Sequence, residues 1–362
     1  MKKKHSLPIR ILCAFGIVLL CIVLLLGGLV AFLSVTEYKP AARETLEVTG
    51  KADAILSPME TITVASWNIG YGALGDNADF FMDGGSMVKT ADTARLQQNL
   101  DGILAGIDAL NPDVLFLQEI DVCSSRSEKI DEFARVAGHL DYATASFANN
   151  FKVAFLPYPL PPIGKVDSGV ATFSAYRTAS AERVQLPVPF SWPMRMANLK
   201  RCLLVSRIPI SGSSNREMVL FNLHLEAYDD GEGKLEQTRM LAELLAAEAK
   251  KGNYVIAGGD FNQIFSSTDG SAFPVQNGNW AASKIDETQF AGKWQFLMDE
   301  KVPSCRSLYK PYAGADKASF QYYVIDGFIV SGNLTVESFG AQDLGFVCSD
   351  HNPLLLRVTL QG

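Results

Sequence analysis

Cysteine is sparse in this chain and badly placed to hold a metal. Six occur in 362 residues: Cys13 and Cys21 lie in one apolar run, while Cys123, Cys202, Cys305 and Cys348 are scattered over the remainder. None has the close spacing of a thiolate zinc site, which argues against a structural zinc module. An exported domain permits disulfides, but this spacing dictates no pairing. Positive charge is also short. The formal net charge is −7, and beyond the first 35 residues 28 Lys and Arg stand against 39 Asp and Glu, a charge of −11. A protein that binds by neutralising many phosphates needs the opposite balance, so polymeric nucleic acid is disfavoured, although a local basic groove is compatible with the total. There is no internal repeat. No small-x-small cleavage site stands near Ser34, and Leu19-Leu20 before Cys21 makes no convincing lipoprotein site.

What is present begins with a long uncharged stretch. Residues 11–33 carry no charge, and at 1.5 Å per residue a helix of that length reaches about 34 Å, enough to span a bilayer. The apolar region of a cleaved signal peptide is shorter, about 7–15 residues, so an uncleaved single-pass transmembrane helix is expected. Lys2, Lys3, Lys4 and Arg10 precede it, and a mixed flank of Glu37, Lys39, Arg43, Glu44 and Glu47 follows. That asymmetry places residues 1–10 in the cytoplasm and the rest outside. Residues 34–59, mixed polar with Pro40 and Pro58, are expected as a linker, and residues 60–362 as one large α/β domain.

Along the domain, residues 61–67 are β-rich and end at Asn68. Gly70, Gly72 and Gly75 spell GxGxxG after that strand, but residues 76–85 look like irregular loop, and without a helix opening at the third glycine a dinucleotide site is rejected. Leu96, Leu100, Ile103, Leu104, Ile107 and Leu110 form a helical stripe closed by Asn111-Pro112. A buried strand over 113–119 is expected to end at Glu119, and a helix to cover 124–140. Between Phe147 and Pro162 the chain is aromatic and carries Pro157, Pro159, Pro161 and Pro162; its second half cannot be helical. It either dips toward lipid, lines a substrate groove or packs on the domain's own surface, and residues 190–196 share that character. Strands follow at 169–174, 201–206 and 218–224, the last ending at His224. A helix through Leu235, Leu241, Leu244, Leu245 and Ala249 stops at Lys250-Lys251-Gly252. A strand at 253–257 is expected to break at Gly258-Gly259, presenting Asp260 and Asn262. Residues 266–282 read as a surface loop. The last strands carry Asp326 at the end of 321–326 and follow Asp350-His351.

Taken singly, each of these polar residues has a plain structural explanation: a turn, a strand end meeting solvent, a hydrogen-bonded histidine. Together they do not. Asn68, Glu119, His224, Asp260, Asn262, Asp326, Asp350 and His351 all fall in loops beside predicted strands, and in a strand-helix domain such ends converge on one crevice. A carboxylate followed by a titratable imidazole at 350–351 suits phosphoester chemistry.

The strings Ser66-Trp67-Asn68-Ile69-Gly70, Leu117-Gln118-Glu119, Asn222-Leu223-His224-Leu225, Gly259-Asp260-Phe261-Asn262, Ile325-Asp326 and Ser349-Asp350-His351 occur in that order over about residues 60–360. In this they resemble the endonuclease/exonuclease/phosphatase superfamily. The resemblance implies a four-layer α/β sandwich, two face-packed mixed sheets flanked by helices. It implies Mg²⁺, with Mn²⁺ as the substitute, bound by Glu119 with Asn68 and Asp350 near the ion. Asp260, positioned with Asn262, would orient or deprotonate the attacking water. His351, held by Asp326, would be the alternative base or a charged clamp on the phosphoryl oxygens, and His224 would stabilise the same charge. The base stays open between Asp260 and His351. One departure matters: the family's Ser-Arg-x-Pro string is missing after Gly169 and occurs at Ser206-Arg207-Ile208-Pro209, so neither Arg177 nor Arg207 inherits a role. The expected protein is a membrane-anchored, metal-dependent hydrolase of a phosphodiester or phosphomonoester, with a lipid head group or small phosphoester favoured as substrate. An extracytoplasmic endo- or exonuclease is the alternative, a catalytically silent binding domain is less favoured, and no protein partner is implied.

Overall fold

The structure, a computed structural model, describes residues 7–213, 216–229, 231–276 and 278–361. The apolar run forms helix α1 (Leu7–Val35), slightly wider than the expected 11–33, and its Ile9–Val35 portion is long and apolar enough to cross a membrane. Most of α1 is exposed, but its last turns rest on the domain: Leu33 is buried against Val153 and Met196, with Leu29, Val30 and Phe151 beside it.

Two seven-stranded sheets form the domain. The first runs, in spatial order, Arg43–Leu46, Ser180–Gln185, Cys202–Pro209, Glu217–His224, Tyr254–Asp260, Asp326–Ser331 and Trp294–Leu297. The second runs Leu334–Ala341, Leu354–Leu360, Thr61–Asn68, Val114–Asp121, Gly164–Ser174, Thr144–Leu156 and Thr49–Gly50. Each is mixed, with one parallel pair near its middle: Glu217–His224 beside Tyr254–Asp260, and Thr61–Asn68 beside Val114–Asp121.

The central strands are buried on both faces, which is why they read as continuous apolar runs. Ile62, Val64, Val114 and Phe116 of the second sheet meet Leu220, Ile256, Phe328 and Val330 of the first in the core between them. The alternate residues point outward, as the two-residue period of a strand requires. Ala65, Trp67, Leu115 and Leu117 pack under α2 (Thr93–Leu110) and α3 (Glu132–His139). Val219, Phe221, Val255 and Ala257 pack under α4 (Glu232–Lys250). The result is helix, sheet, sheet, helix, the four-layer sandwich expected. Asp92 opens α2 by accepting from the Arg95 amide at 2.8 Å, and Asn111 closes it at φ 43°.

Five expectations are corrected, the first being that the strand expected to end at Glu119 runs Val114–Asp121 with Glu119 on a bulge inside it. Residues 124–140 are helical only over Glu132–His139, because the Asp121 carboxylate accepts from Arg126 Nε at 3.1 Å, Arg126 Nη2 at 2.9 Å and Ser127 Oγ at 2.8 Å, wrapping this stretch as a loop until Asp131 caps α3. The stretch 34–59 is not a free linker: Arg43–Leu46 and Thr49–Gly50 add an edge strand to each sheet, and Leu56 is fully buried between them. The strand expected to break at Gly258-Gly259 continues to Asp260. Gly259, at φ 145°, is needed there because a Cβ would stand 1.9 Å from the Leu223 carbonyl oxygen of the neighbouring strand. Asp326 begins a strand rather than ending one, and since that strand is antiparallel to Tyr254–Asp260 it still lies at the same edge. All six cysteines are free.

Candidate active site

Sheet register assembles the first half of the site. Asp260 is the parallel register partner of His224 and the antiparallel partner of Asp326, so three separate strands deliver these side chains in one row. The second sheet supplies the other half. Asn68 ends its strand opposite Gln118, and the next residue, Glu119, sits on a β-bulge at φ 51°. A non-glycine residue held in that conformation costs about 1–3 kcal/mol, and such strain gathers at functional sites. Below this edge Gln118 Nε2 donates to Asn222 Oδ1 at 2.8 Å, and Asn222 Nδ2 donates to the Ala171 carbonyl at 2.7 Å. These buried amides cross from sheet to sheet and fix how the two halves meet.

Asn68 is the junction. Its Nδ2 lies 3.0 Å from Glu119 Oε1, 3.1 Å from Asp260 Oδ2 and 3.4 Å from His351 Nε2. Asp260 Oδ1 accepts from the Asn262 amide at 2.9 Å, and Asp260 Oδ2 is 3.4 Å from His224 Nε2. Asn262, at φ 50°, spends its side-chain amide on the Leu225 carbonyl at 2.9 Å, bracing the turn. The Asp350-His351 loop is tied from below. Ser349 Oγ donates to the Asn68 carbonyl at 2.8 Å, and Trp67 Nε1 donates to the His351 carbonyl at 2.9 Å. His351 Nδ1 meets Asp326 Oδ2 at 2.8 Å.

Electrostatics separates the two histidines. Burial disfavours charge on His351, but the Asp326 carboxylate outweighs it and holds the imidazole protonated well above its ordinary range. For His224 burial acts together with the charges of Arg201 and His351, and the ring is held neutral, well below its ordinary range. Burial, with the Asp326 charge, raises Asp260, against the opposing pull of His351 and its hydrogen bonds from Asn262 and Asn68. Asp350 is pushed up to about 6, chiefly by burial and with the Glu119 charge adding to it, against His351 and Arg306.

Glu119, His224, Asp260, Asn262, Asp350 and His351 open onto a cleft of about 1220 Å³, with Asn68 and Asp326 immediately behind them. All eight residues singled out in the sequence therefore lie together. The cleft also exposes residues that sequence reasoning missed: Tyr71, Asp83, Arg126, Arg201, Tyr228 and Arg306. Apart from Arg201, the first residue of the strand expected at 201–206, no periodicity or strand end marks them. Arg126 reaches the cleft only because Asp121 turns it inward, with its guanidinium 3.6 Å over the Tyr71 ring.

The donor chemistry fits a hard cation. Among the described residues, two groups each bring their ligand atoms within 4.8 Å of one another, Cys305/Asp350/His351 and Asp260/Asp326/His351. Both include a ring that is already protonated and committed to Asp326, so neither set is suited as it stands. Glu119 and Asp350, mutually repelling carboxylates beside the Asn68 amide, are the oxygen set that a divalent cation would relieve.

The Endonuclease/Exonuclease/phosphatase family model matches residues 65–351. A search of curated proteins finds no match. Among solved structures, an endonuclease/exonuclease/phosphatase from Beutenbergia cavernae aligns with TM-score 0.56 at 18% identity, covering 83% of this chain and 72% of that one. ANGEL2, a 2′,3′-cyclic phosphatase solved with adenosine-2′,3′-vanadate, aligns at 0.54 and 15%, covering 88% and 99%. The human Nocturnin catalytic domain with bound sulfate aligns at 0.51 and 17%, covering 87% and 97%. At these identities the likeness is one of fold.

Proposed function

The chain belongs to the endonuclease/exonuclease/phosphatase family, and from that premise we propose that it is a membrane-anchored, metal-dependent phosphoesterase whose preferred substrate is a lipid head group or a small phosphoester. The observation that carries this reading is the junction at Asn68, whose Nδ2 donates to a carboxylate from each sheet, Glu119 and Asp260, while the charged imidazole of His351 stands 3.9 Å from Asp260 Oδ2 at the floor of one cleft. Glu119 and Asp350, with Asn68 behind them, would hold Mg²⁺ or Mn²⁺. Bound there, such an ion supplies charge neutralisation at a phosphoryl oxygen.

The protein's own groups do the rest. As water adds to phosphorus, its proton passes to Asp260 Oδ2, the ester P–O bond breaks, and solvent protonates the departing oxygen. Asp260 rather than His351 is the base in this reading, since His351 already carries its proton and is tied to Asp326, whereas a carboxylate raised toward neutrality is a competent acceptor. His351 is then the charged clamp on the phosphoryl oxygens, and neutral His224 positions the Asp260 carboxylate through Nε2. Helix α1 is the anchor, with the basic residues before it inside and the domain outside.

The test uses full-length protein in mixed micelles with Mg²⁺, offered sphingomyelin or phosphoinositide vesicles, bis(4-nitrophenyl) phosphate and duplex DNA in parallel. Turnover of lipid and soluble ester, abolished by Asp260→Asn, is the expected result. Cleavage of DNA alone would move the protein to the nuclease reading, and activity surviving in the Glu119→Gln/Asp260→Asn double variant would sink the mechanism.

A further inference from the structure

The cleft has a side that hydrolysis of a water-soluble ester does not need. From the floor at Glu119 and Asp350 its lining continues into Leu29, Val30 and Leu33 of α1, faced by Phe151, Leu156 and Met196 of the domain. The helix is held in that position. Leu33 packs on Val153 and Met196, and just past the helix Glu37 takes Arg195 Nε at 3.0 Å and Lys200 Nζ at 3.6 Å. Beside this wall, two proline-containing loops leave large groups bare: Tyr158 is 70% exposed, Leu160 87%, Trp192 59% and Met194 66%. Exposed apolar and aromatic groups concentrated where an apolar helix meets its domain are suited to a lipid interface.

We propose that the last turns of α1 are part of the substrate site: an acyl chain of a membrane phospholipid leaves the bilayer along Leu29, Val30 and Leu33 and lies in the cleft, carrying its phosphate onto the catalytic floor. This rests on the phosphoesterase reading above and names its substrate class. Three features select this occupant. The wall is continuous with a helix that is itself written for hydrocarbon, so the chain passes from one apolar surroundings to another; each methylene left in water on the way would lower occupancy about fourfold. The cleft is polar and charged at one end and apolar at the other, matching an amphiphile and not an apolar peptide helix. At about 1220 Å³ it also exceeds the roughly 300–1,000 Å³ that a small ligand fills, leaving room for a chain beside the head group.

The experiment compares two substrates on the full-length protein in liposomes: long-chain sphingomyelin and bis(4-nitrophenyl) phosphate. Val30→Trp and Leu156→Trp, which fill the groove from opposite sides, are expected to lower the ratio of lipid to soluble-ester turnover tenfold or more. An unchanged ratio in both overturns the proposal. Independently of activity, a phospholipid with a diazirine in its acyl chain is photolysed with the Asp260→Asn protein. Labelling within residues 29–33 or 151–156 supports the groove, and labelling confined to residues 9–25 overturns it; this readout decides should a tryptophan depress both activities together. Wild-type protein that cleaves the soluble ester but not vesicle lipid overturns the lipid groove while leaving the phosphoesterase reading intact. Cleavage of neither substrate removes both.

Discussion

Asp260 accepts hydrogen bonds from the Asn262 amide and the Asn68 side chain, stands beside His224 and faces the charge of Asp326. Removing its charge while keeping its shape should therefore remove the proton acceptor and little else. Asp260→Asn is expected to lower kcat on a soluble phosphodiester by about 10²–10⁴-fold with KM nearly unchanged, read by steady-state kinetics. Asp326→Asn acts differently. Asp326 holds His351 protonated, and a clamp that works as a cation fails as pH rises through its pKa. Without Asp326 that pKa falls, so the alkaline limb of the rate profile should move to lower pH. The metal has a signature of its own. Asp350 rises from an ordinary 3.8 to about 6, so it is harder to ionise folded than unfolded, and the fold loses stability as pH climbs through that window. A cation held between Glu119 and Asp350, as proposed above, would lift the penalty. Mg²⁺ should raise the melting temperature more at pH 7.5 than at pH 5 in differential scanning calorimetry, and Glu119→Gln should erase most of the difference.

At the scale of strands and helices, the best-read parts were those where burial on both faces writes itself as a continuous apolar run. Ile62 and Val64 turn inward, Ala65 and Trp67 outward, and the strand was visible without knowing either partner. The helical stripe from Leu96 to Ile107 is visible for a different reason, a single buried face that recurs every three to four residues. What escaped depended on partners far away in the chain. Nothing local in residues 43–56 shows that Leu46 and Val48 pack where the two sheets meet, on Ala148 and Cys202 among others, or that Leu56 is sealed between them. Leu56→Ala is accordingly expected to cost about 2–5 kcal/mol in chemical denaturation, where a linker residue would cost nothing. In the sequence Gly259 reads as a sign of a turn, whereas its work is to let two parallel strands approach. Gly259→Ala should destabilise by at least about 2 kcal/mol and misalign Asp260 with His224, lowering activity beyond the loss of folded protein.

For the molecule as a whole, the eight catalytic candidates were legible because each stands next to a strand, and strand ends in such a domain converge. The cleft's other lining was not, because Arg126 is aimed by Asp121 and Arg306 by the carbonyls of Gly75 and Ser307, contacts that no spacing announces. The docking of α1 was equally hidden, since Leu33 and Met196 look like any lipid-facing and any loop residue until they touch. The charge of −11 beyond the helix bears on the whole surface, and among the described residues of the cleft Arg126 is engaged by Asp121, Arg201 stands 3.8 Å from Glu226 and Arg306 is held by the carbonyls of Gly75 and Ser307. Duplex DNA at 50 mM salt should consequently show no mobility shift at micromolar protein.

The strand Leu354–Leu360 lies in the interior of the second sheet, between Leu334–Ala341 and Thr61–Asn68, and Asp350-His351 hang from its leading edge. The proposed catalytic floor therefore cannot exist until this strand has paired with Thr61–Asn68, whose Asn68 lies 283 positions before His351. Until then the chain holds a half-built sandwich in which Asn68 and Asp260 have no His351 beside them. Timing is thus written into topology: a strand drawn from far along the sequence completes the site.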